Sequence, residues 1–382
     1  MRIWGSLVLC LGLAACASAP PMPPHEPLFH DEFFSAPSQR ISAEDVFAMS
    51  DEMRSYLKTE IAAQLRIKGR QQGLIDALYR RSQLGLAYDA TMTRNAAQAF
   101  DARSGNCLSL VIMTAAFARE LGLDIQYQSA YLDETWSRSG SLFFRSGHVN
   151  ITIGRRMIDS RTNLDSSELT IDFLPASEIR GLRTRAINEE TVVAMYMNNQ
   201  AAEALAKGEL SDAYWWARAA IAQNPAFLSS YNTLGVVYLR HGHLLQAEQV
   251  FNVVLDREPA NTPALSNLAN LLNQQSRTAE AKVLLNRLAQ IEPYPPFYFF
   301  NLGRAAMEKD DFKAARDFFA KEVDRAAYYH EFHFWLGIAD FKLGDIAEAR
   351  KHLALAMENS TTLRDRDLYS AKLEWLRSHG YH

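Results

Sequence analysis

Three short segments in the middle of the chain alternate between apolar and polar residues. They are residues 125–131, 148–153 and 168–173. In the second segment His148 lies opposite the valine and isoleucine face, and in the third Asp172 lies opposite the apolar face. Because successive side chains of a strand point to opposite sides, this period of two predicts three strands of a β-sheet.

Helical patterns precede these strands. Residues 41 to about 85 predict helices, the first with Ser42 as its N-cap and a second covering about residues 72–84. Residues 107–121 are largely apolar, which predicts a buried helix, and Gly122 is a signal for its end. Helices followed by strands predict an α+β region in this part of the chain.

From about residue 188 onward, the pattern repeats every 34 residues. The spacing is set by Pro225, Pro259 and Pro293. Small residues form two columns in this register: Ala201, Gly235, Ala269, Gly303 and Gly337, and Ala213, Ala247, Ala281, Ala315 and Ala349. Mostly larger residues form two more: Ala217, Phe251, Leu285, Phe319 and Leu353, and Gln200, Leu234, Leu268, Leu302 and Leu336. This period predicts stacked helical hairpins whose helices approach closely at the small side chains.

The register resembles the tetratricopeptide (TPR) family, and residues 231–238 are close to the family consensus. The resemblance implies an all-α TPR solenoid over residues 188–363, followed by a capping helix within residues 364–382. Five repeats are expected at about residues 194–227, 228–261, 262–295, 296–329 and 330–363.

TPR arrays bind a protein or peptide on a concave face, which the first helix of each hairpin lines. In this register that face includes Asn198, Asn232, Asn270, Asn273, Arg304 and Phe300. Asparagine side chains could bind the backbone of an extended peptide. The alternative is that these are solvated helix positions without a ligand.

The first residues resemble a bacterial lipoprotein signal peptide, residues 1–15. A basic residue and a short apolar run lead to Leu-Ala-Ala-Cys, which matches the lipobox and ends at Cys16. The resemblance implies cleavage before Cys16 and acylation of its sulfur, and Ala17 after it favours an outer-membrane anchor facing the periplasm. An ordinary secretory signal cut near Ala19 is the alternative.

Composition limits the partners of this chain. Five prolines between residues 20 and 27 predict that residues 16–40 are an extended linker, a stalk on which a soluble body is tethered. The chain has 40 basic and 44 acidic residues, a net charge of −4, so nucleic acid is not an expected partner. We expect membrane contact through the lipid anchor only. Three cysteines are too few for a disulfide scaffold or a Cys-rich zinc site.

Cys107 is the one free thiol expected after signal removal and acylation of Cys16. It begins a predicted helix, where the helix dipole and free N–H groups stabilise an anion such as a thiolate. His148 is the only histidine between His30 and His241, so it is the only local candidate for a base. The alternative is a cysteine that is simply a small buried residue.

A cysteine at a helix start, a histidine on a strand and an aspartate on a later strand resemble the transglutaminase-like superfamily, a papain-like cysteine fold. The matching pieces are residues 105–110, 118–123 and 148–149, with a strand that ends in an aspartate. The resemblance spans about residues 41–187. It implies an α+β domain with Cys107 as nucleophile, His148 as base and an aspartate that orients the imidazole. Asp172 is favoured for that third position, and Asp159 is the alternative.

A Cys–His pair of this kind attacks a carbonyl carbon and forms a thioester. Water then gives hydrolysis and an amine gives cross-linking, and the resemblance favours amide or peptide hydrolysis. The rival interpretation is an inactive transglutaminase-like domain on a TPR scaffold that assembles envelope proteins. No cofactor is expected, and Cys107 with His148 supplies too few ligands for a metal.

Overall fold

The computed structural model describes most of the chain after residue 24. The described ranges are residues 25–79, 84–90, 92–131, 136–139, 142–145, 148–154, 168–173, 183–360 and 362–378. Cys16, Asp159 and the predicted signal segment lie outside these ranges. Within them, no helix combines the length and the apolar character needed to cross a bilayer.

Short helices come first, as the pattern predicts. Single 3-10 turns occupy Glu26–Leu28, Asp31–Phe33 and Glu44–Val46, and five α-helices follow: α1 (Asp51–Lys58), α2 (Ala62–Lys68), α3 (Arg70–Tyr79), α4 (Ala96–Ala102) and α5 (Cys107–Glu120). The first α-helix is capped by Ser50, whose hydroxyl accepts from the amide of Met53 at 3.2 Å. The predicted cap, Ser42, is therefore wrong, because only a 3-10 turn follows it.

Eight strands are described in the α+β region. They are β1 (Ala87–Tyr88), β2 (Ser104–Gly105), β3 (Asp124–Tyr131), β4 (Trp136–Ser139), β5 (Leu142–Arg145), β6 (His148–Gly154), β7 (Leu169–Ile171) and β8 (Arg183–Ile187). An antiparallel sheet has the order β7-β6-β3-β8, while β1 pairs with β2 in parallel and β4 with β5 antiparallel. Helix α5 packs against β6 and β3, and its residues from Cys107 to Ala118 are buried.

From Glu189 onward the structure is a solenoid of TPR-like helical hairpins. The five pairs are α6 (Glu189–Lys207) with α7 (Leu210–Gln223), α8 (Leu228–His241) with α9 (Leu244–Arg257), α10 (Thr262–Gln274) with α11 (Thr278–Ile291), α12 (Tyr298–Met307) with α13 (Phe312–Arg325), and α14 (His330–Leu343) with α15 (Ile346–Glu358). Helix α16 (Leu363–Ser378) follows. The small-residue columns have the expected role: a Cβ added to Gly235 would lie 2.5 Å from the ring of Phe251.

The solenoid is interrupted between the third and fourth hairpins. Helices α11 and α12, both described in full, do not form the packed pair that α9 and α10 form. Leu285 of α11 is 44% exposed, whereas Phe251 in the same column of the preceding repeat is 0% exposed. Leu302 of α12 is 37% exposed, because α11 and α12 do not pack on each other. We call this break, with its connecting residues 292–296, the open junction.

The open junction separates two apolar cores. One core includes Val46 and Met53 of the α+β region and continues through the first three hairpins to Ala281. A second core begins at Phe297 and holds the fourth and fifth hairpins together. We call residues 25–291 the amino half and residues 297–378 the carboxy half.

Residues 25–38 run along the first two hairpins, and we call them the N-terminal strap. Asp31 accepts hydrogen bonds from Tyr214 and, at 2.9 Å, from Arg218, and the ring of Phe34 stacks on that of Tyr214 at 4.1 Å. The expected stalk over residues 16–40 is therefore wrong for this stretch. Its aromatic side chains have an apolar surface to cover, which outweighs the extended preference of the prolines.

Candidate functional site

Three of the predicted site residues meet beside the sheet. His148 Nδ1 lies 3.2 Å from Cys107 Sγ, and His148 Nε2 lies 2.8 Å from Asp172 Oδ2. Both distances are those of hydrogen bonds involving ionisable groups. The imidazole is thus held on both sides, by a thiol at one nitrogen and by a carboxylate at the other.

Local structure explains the meeting. Cys107 is the first residue of α5, behind the N-cap Asn106. His148 begins β6 opposite Ala130 of β3, and Asp172 follows directly after Ile171 of β7, which pairs with β6. Because β6 and β7 are neighbours, their ends bring the imidazole and the carboxylate to one edge of the sheet.

Opposing effects act on the imidazole. Burial lowers the pKa of His148, but its hydrogen bonds to Asp172 and Cys107, together with their charges, outweigh burial and raise that pKa to about 9. A protonated ring donates from both nitrogens, which matches one acceptor on each side. Asn150, two residues further along β6, donates to the same Asp172 oxygen at 3.3 Å.

A phenol that the sequence did not single out lies beside the sulfur. Tyr88 Oη is 3.8 Å from Cys107 Sγ. Tyr88 reaches this place because β1 pairs in parallel with β2, which sets Tyr88 opposite Gly105. A two-residue strand carries too little periodicity to be predicted, so no pattern in the sequence indicated this contact.

The thiol and the imidazole are nearly enclosed. Cys107 is 9% exposed and His148 is 3% exposed. Enclosure strengthens electrostatic interactions inside the site and restricts access to it. Within the described ranges, no group of three or more His, Cys, Asp or Glu side chains is arranged to hold a metal ion.

The predicted asparagines of the first two repeats are engaged by neighbouring helices. Asn198 Oδ1 accepts from the hydroxyl of Thr233 at 2.7 Å. Asn232 Oδ1 accepts from Asn267 Nδ2 at 3.1 Å. These side chains already bridge consecutive first helices, so only part of their hydrogen-bonding capacity is left for a peptide.

Further along the solenoid the predicted residues differ from one another. Asn270 and Asn273 are exposed on α10. The guanidinium of Arg304 lies 4.0 Å from the centre of the Trp335 ring, a cation–π contact. The prediction of Phe300 on this face is wrong. It is buried in the carboxy-half core against Phe319, because α12 turns that position inward.

Comparisons with known proteins give only distant structural likeness. No family model matches this chain, and no curated protein matches it. Among solved structures, pilF of Pseudomonas aeruginosa is 18% identical and its match covers 50% of this chain and 94% of its own, with a TM-score of 0.28. A thermophilic TPR protein of Thermus thermophilus is 17% identical over 47% of this chain and 98% of its own, with a TM-score of 0.29. Because these scores are low, the repeat assignment depends on this chain's own helix register.

Proposed function

We propose that the amino half carries a cysteine acyl-transfer centre of transglutaminase-like type. Cys107 is the nucleophile, His148 the acid and base, and Asp172 the group that orients the ring. The observation that carries this proposal is the hydrogen-bonded line from Cys107 Sγ through both nitrogens of His148 to Asp172, at 3.2 and 2.8 Å. A nucleophile, a base and a group that orients the base are the parts this chemistry needs.

The chemistry follows from that line. The Cys107 thiolate attacks an amide carbonyl carbon, and the C–N bond breaks as His148 Nδ1 gives its proton to the leaving amine. A thioester remains on the sulfur. His148 then takes a proton from water, whose oxygen attacks the thioester carbon. The C–S bond breaks, which releases the acid and returns the Cys107 thiolate. The favoured outcome is amide or peptide hydrolysis, and an amine in place of water would give a cross-link.

Two donors are suited to the oxyanion that forms during the attack. The backbone N–H of Cys107 lies at the start of α5, where helix amides lack an intrahelical partner. The phenol of Tyr88, 3.8 Å from the sulfur, is the second. Their position around one sulfur supports attack on a carbonyl group.

The solenoid is proposed to dock a protein or peptide partner. The exposed amides of Asn270 and Asn273 on α10 support this, because free amide groups bind peptide backbone well. The lipobox before Cys16 supports a lipid anchor, and Ala17 supports the outer membrane, facing the periplasm. The protein would then be an envelope enzyme with its own docking array.

Alkylation by iodoacetamide tests the thiol directly. In the full chain at pH 7, we expect Cys107 to react at least tenfold faster than a small free thiol, because His148 stabilises the thiolate. Mass spectrometry of the peptide that contains Cys107 measures the rate. His148→Ala should slow the reaction about tenfold or more.

The matched control is His333→Ala, which removes a buried histidine of the carboxy half. We expect it to leave the alkylation rate unchanged. A wild-type rate no greater than that of the free thiol would contradict the proposal.

The enclosure of Cys107 and His148 favours a second candidate, a catalytically inactive adaptor that scaffolds envelope complexes. In that case Cys107 is a core thiol and the repeats carry the whole function. The adaptor predicts slow alkylation of Cys107 in a folded chain that still binds its partner through residues 188–363.

A further inference from the structure

Thr93 joins the first TPR hairpin to the loop before the nucleophile. It is buried, and helix α6 engages it at three points. Its N–H donates to Glu203 at 2.6 Å, its carbonyl accepts from Gln200 at 2.7 Å and its hydroxyl oxygen accepts from Asn199 at 3.2 Å. The backbone and side chain of Thr93 are therefore both fixed by the repeat array.

The same hydroxyl oxygen faces the nucleophile helix. Thr93 Oγ1 accepts from Asn106 Nδ2 at 2.9 Å. Asn106 is the N-cap of α5, and its Oδ1 accepts from the amide and the hydroxyl of Ser109 at 2.9 and 2.8 Å. Cys107 is the next residue in the chain. A continuous line of hydrogen bonds thus leads from α6 through Thr93 to the turn that bears the sulfur.

The residue after Thr93 fixes the other side of the site. The backbone N–H of Arg94 donates to Ser109 Oγ at 2.8 Å. The guanidinium of Arg94 forms an ion pair at 3.0 Å with Asp89, the residue that follows Tyr88 in the chain. The segment that α6 fixes therefore touches both the turn of Cys107 and the strand of Tyr88.

The orientation of the Asn106 amide depends on this network. To cap α5, Oδ1 of Asn106 must face the amide of Ser109. Nδ2 of Asn106 then points the other way and needs an acceptor, which is Thr93 Oγ1. Without that acceptor a part-buried donor is left unpaired, which favours rotation of the Asn106 amide away from its capping orientation. The position of Cys107 is sensitive to that rotation because it is adjacent in the chain.

We propose that Thr93 is a positioning residue through which the first TPR hairpin sets the place and reactivity of Cys107. The repeat array is then part of the reactive unit as well as a docking surface. This inference rests on the proposed function for its kinetic consequence, and on the hydrogen-bond network for its structural one.

The test compares three variants in the full chain. Thr93→Val removes the shared acceptor and Thr93→Ser keeps it. The control, Thr233→Val, removes a hydroxyl of α8 that donates to Asn198 of α6 and, among the described residues, has no hydrogen bond to α5. We expect Thr93→Val to slow the alkylation of Cys107 about tenfold and to change its pH profile. Thr93→Ser should stay within about threefold of wild type, and Thr233→Val should leave both the rate and the profile unchanged.

Hydrogen exchange of residues 104–112 gives a readout that does not depend on thiol chemistry. Thr93→Val should speed exchange in the first turn of α5 at least tenfold, and Thr233→Val should not, even where the two lower the melting temperature equally. Unchanged exchange with Thr93→Val, or equal effects of both valine variants, would overturn the inference. An unreactive thiol in the wild-type chain would instead contradict the proposed function. In that case the hydrogen-exchange data alone would test the inference about Thr93.

Discussion

The two halves of the molecule use the same repeat, and the hairpins within each half pack on each other, but the fully described hairpins on either side of the open junction do not. In the amino half, the α+β region and three hairpins share one apolar core, while the carboxy half has a core that begins again at Phe297. Phe251 and Leu285 stand in the same column, yet the first is fully buried and the second is 44% exposed. The 34-residue register therefore specifies a hairpin, but the contact between hairpins depends on the segment that connects them.

Proteolytic cleavage of the segments that connect consecutive hairpins is the strongest test of whether the hairpins on each side pack on each other. A protease site placed within residues 292–296 and cleaved after folding should release two fragments that elute separately. The reason is that no helix pair seals the open junction, whose flanking helices are both described in full. Size-exclusion chromatography under native conditions measures the outcome.

The matched control is the same site within residues 258–261, between α9 and α10. These helices pack on each other, so the two fragments should stay together after cleavage. Co-elution of the fragments cut at the open junction would mean that the two halves bind each other firmly, and the comparison would fail.

Alanine substitutions in one column sharpen the comparison. Phe251→Ala should lower the free energy of unfolding by about 3–5 kcal/mol, because it leaves a cavity between packed helices. Leu285→Ala should lower it by less than about 1 kcal/mol, because much of that side chain is already in water. Urea unfolding followed by circular dichroism measures both, and equal losses would contradict an open junction.

The pH dependence of stability should differ between the halves. The pKa of His148 is about 9 in the fold against 6.5 in the unfolded chain, so the folded amino half holds its proton more tightly. The resulting stabilisation, roughly 3 kcal/mol at most, is complete below pH 6.5 and is lost as the pH rises through 9. Unfolding of wild type and His148→Ala at several pH values measures it, and a difference between them that grows toward pH 9 would contradict the assignment.

The carboxy half supplies the control. Burial and the neighbouring His333 lower the pKa of His352 to about 4. This half should therefore lose stability as the pH falls from 6.5 toward 4, which is the opposite direction. His352→Ala should flatten that acid limb and leave the alkaline limb of the amino half unchanged.

Much of the site could be predicted from local patterns. An apolar run behind a Gly-Asn turn located α5 and put Cys107 at its start. The period of two predicted His148 and Asp172 on strands. His148 begins β6, whereas Asp172 follows the last residue of β7, and the pairing of these strands brings the two side chains together. Asp159 lies outside the described residues. The catalytic roles of the three residues remain predictions that the alkylation experiment addresses.

What could not be predicted depends on contacts distant in sequence. Thr93 lies in a short connection without any period, and its partners on α6 are more than a hundred residues away. Proline content favours an extended stalk, and within residues 25–38 that preference is outweighed by the apolar surface that the aromatic side chains cover. At the open junction, Leu285 and Leu302 keep the 34-residue register, so the columns do not predict the break. The one sequence signal for it is the cluster of prolines at positions 293, 295 and 296.

The N-terminal strap has a mechanical consequence. If Cys16 carries a lipid, the nine residues to His25 limit the distance between the bilayer and the strap to about 30 Å. Tension on the lipid would enter the molecule through Asp31, which pairs with Arg218 of the first hairpin, and Phe34, whose ring packs on Tyr214 of the first hairpin and on Tyr238 of the second. The load would then reach the solenoid before the thiol, and the hydrogen bonds from α6 through Thr93 to Asn106 would pass part of it to the turn that bears Cys107.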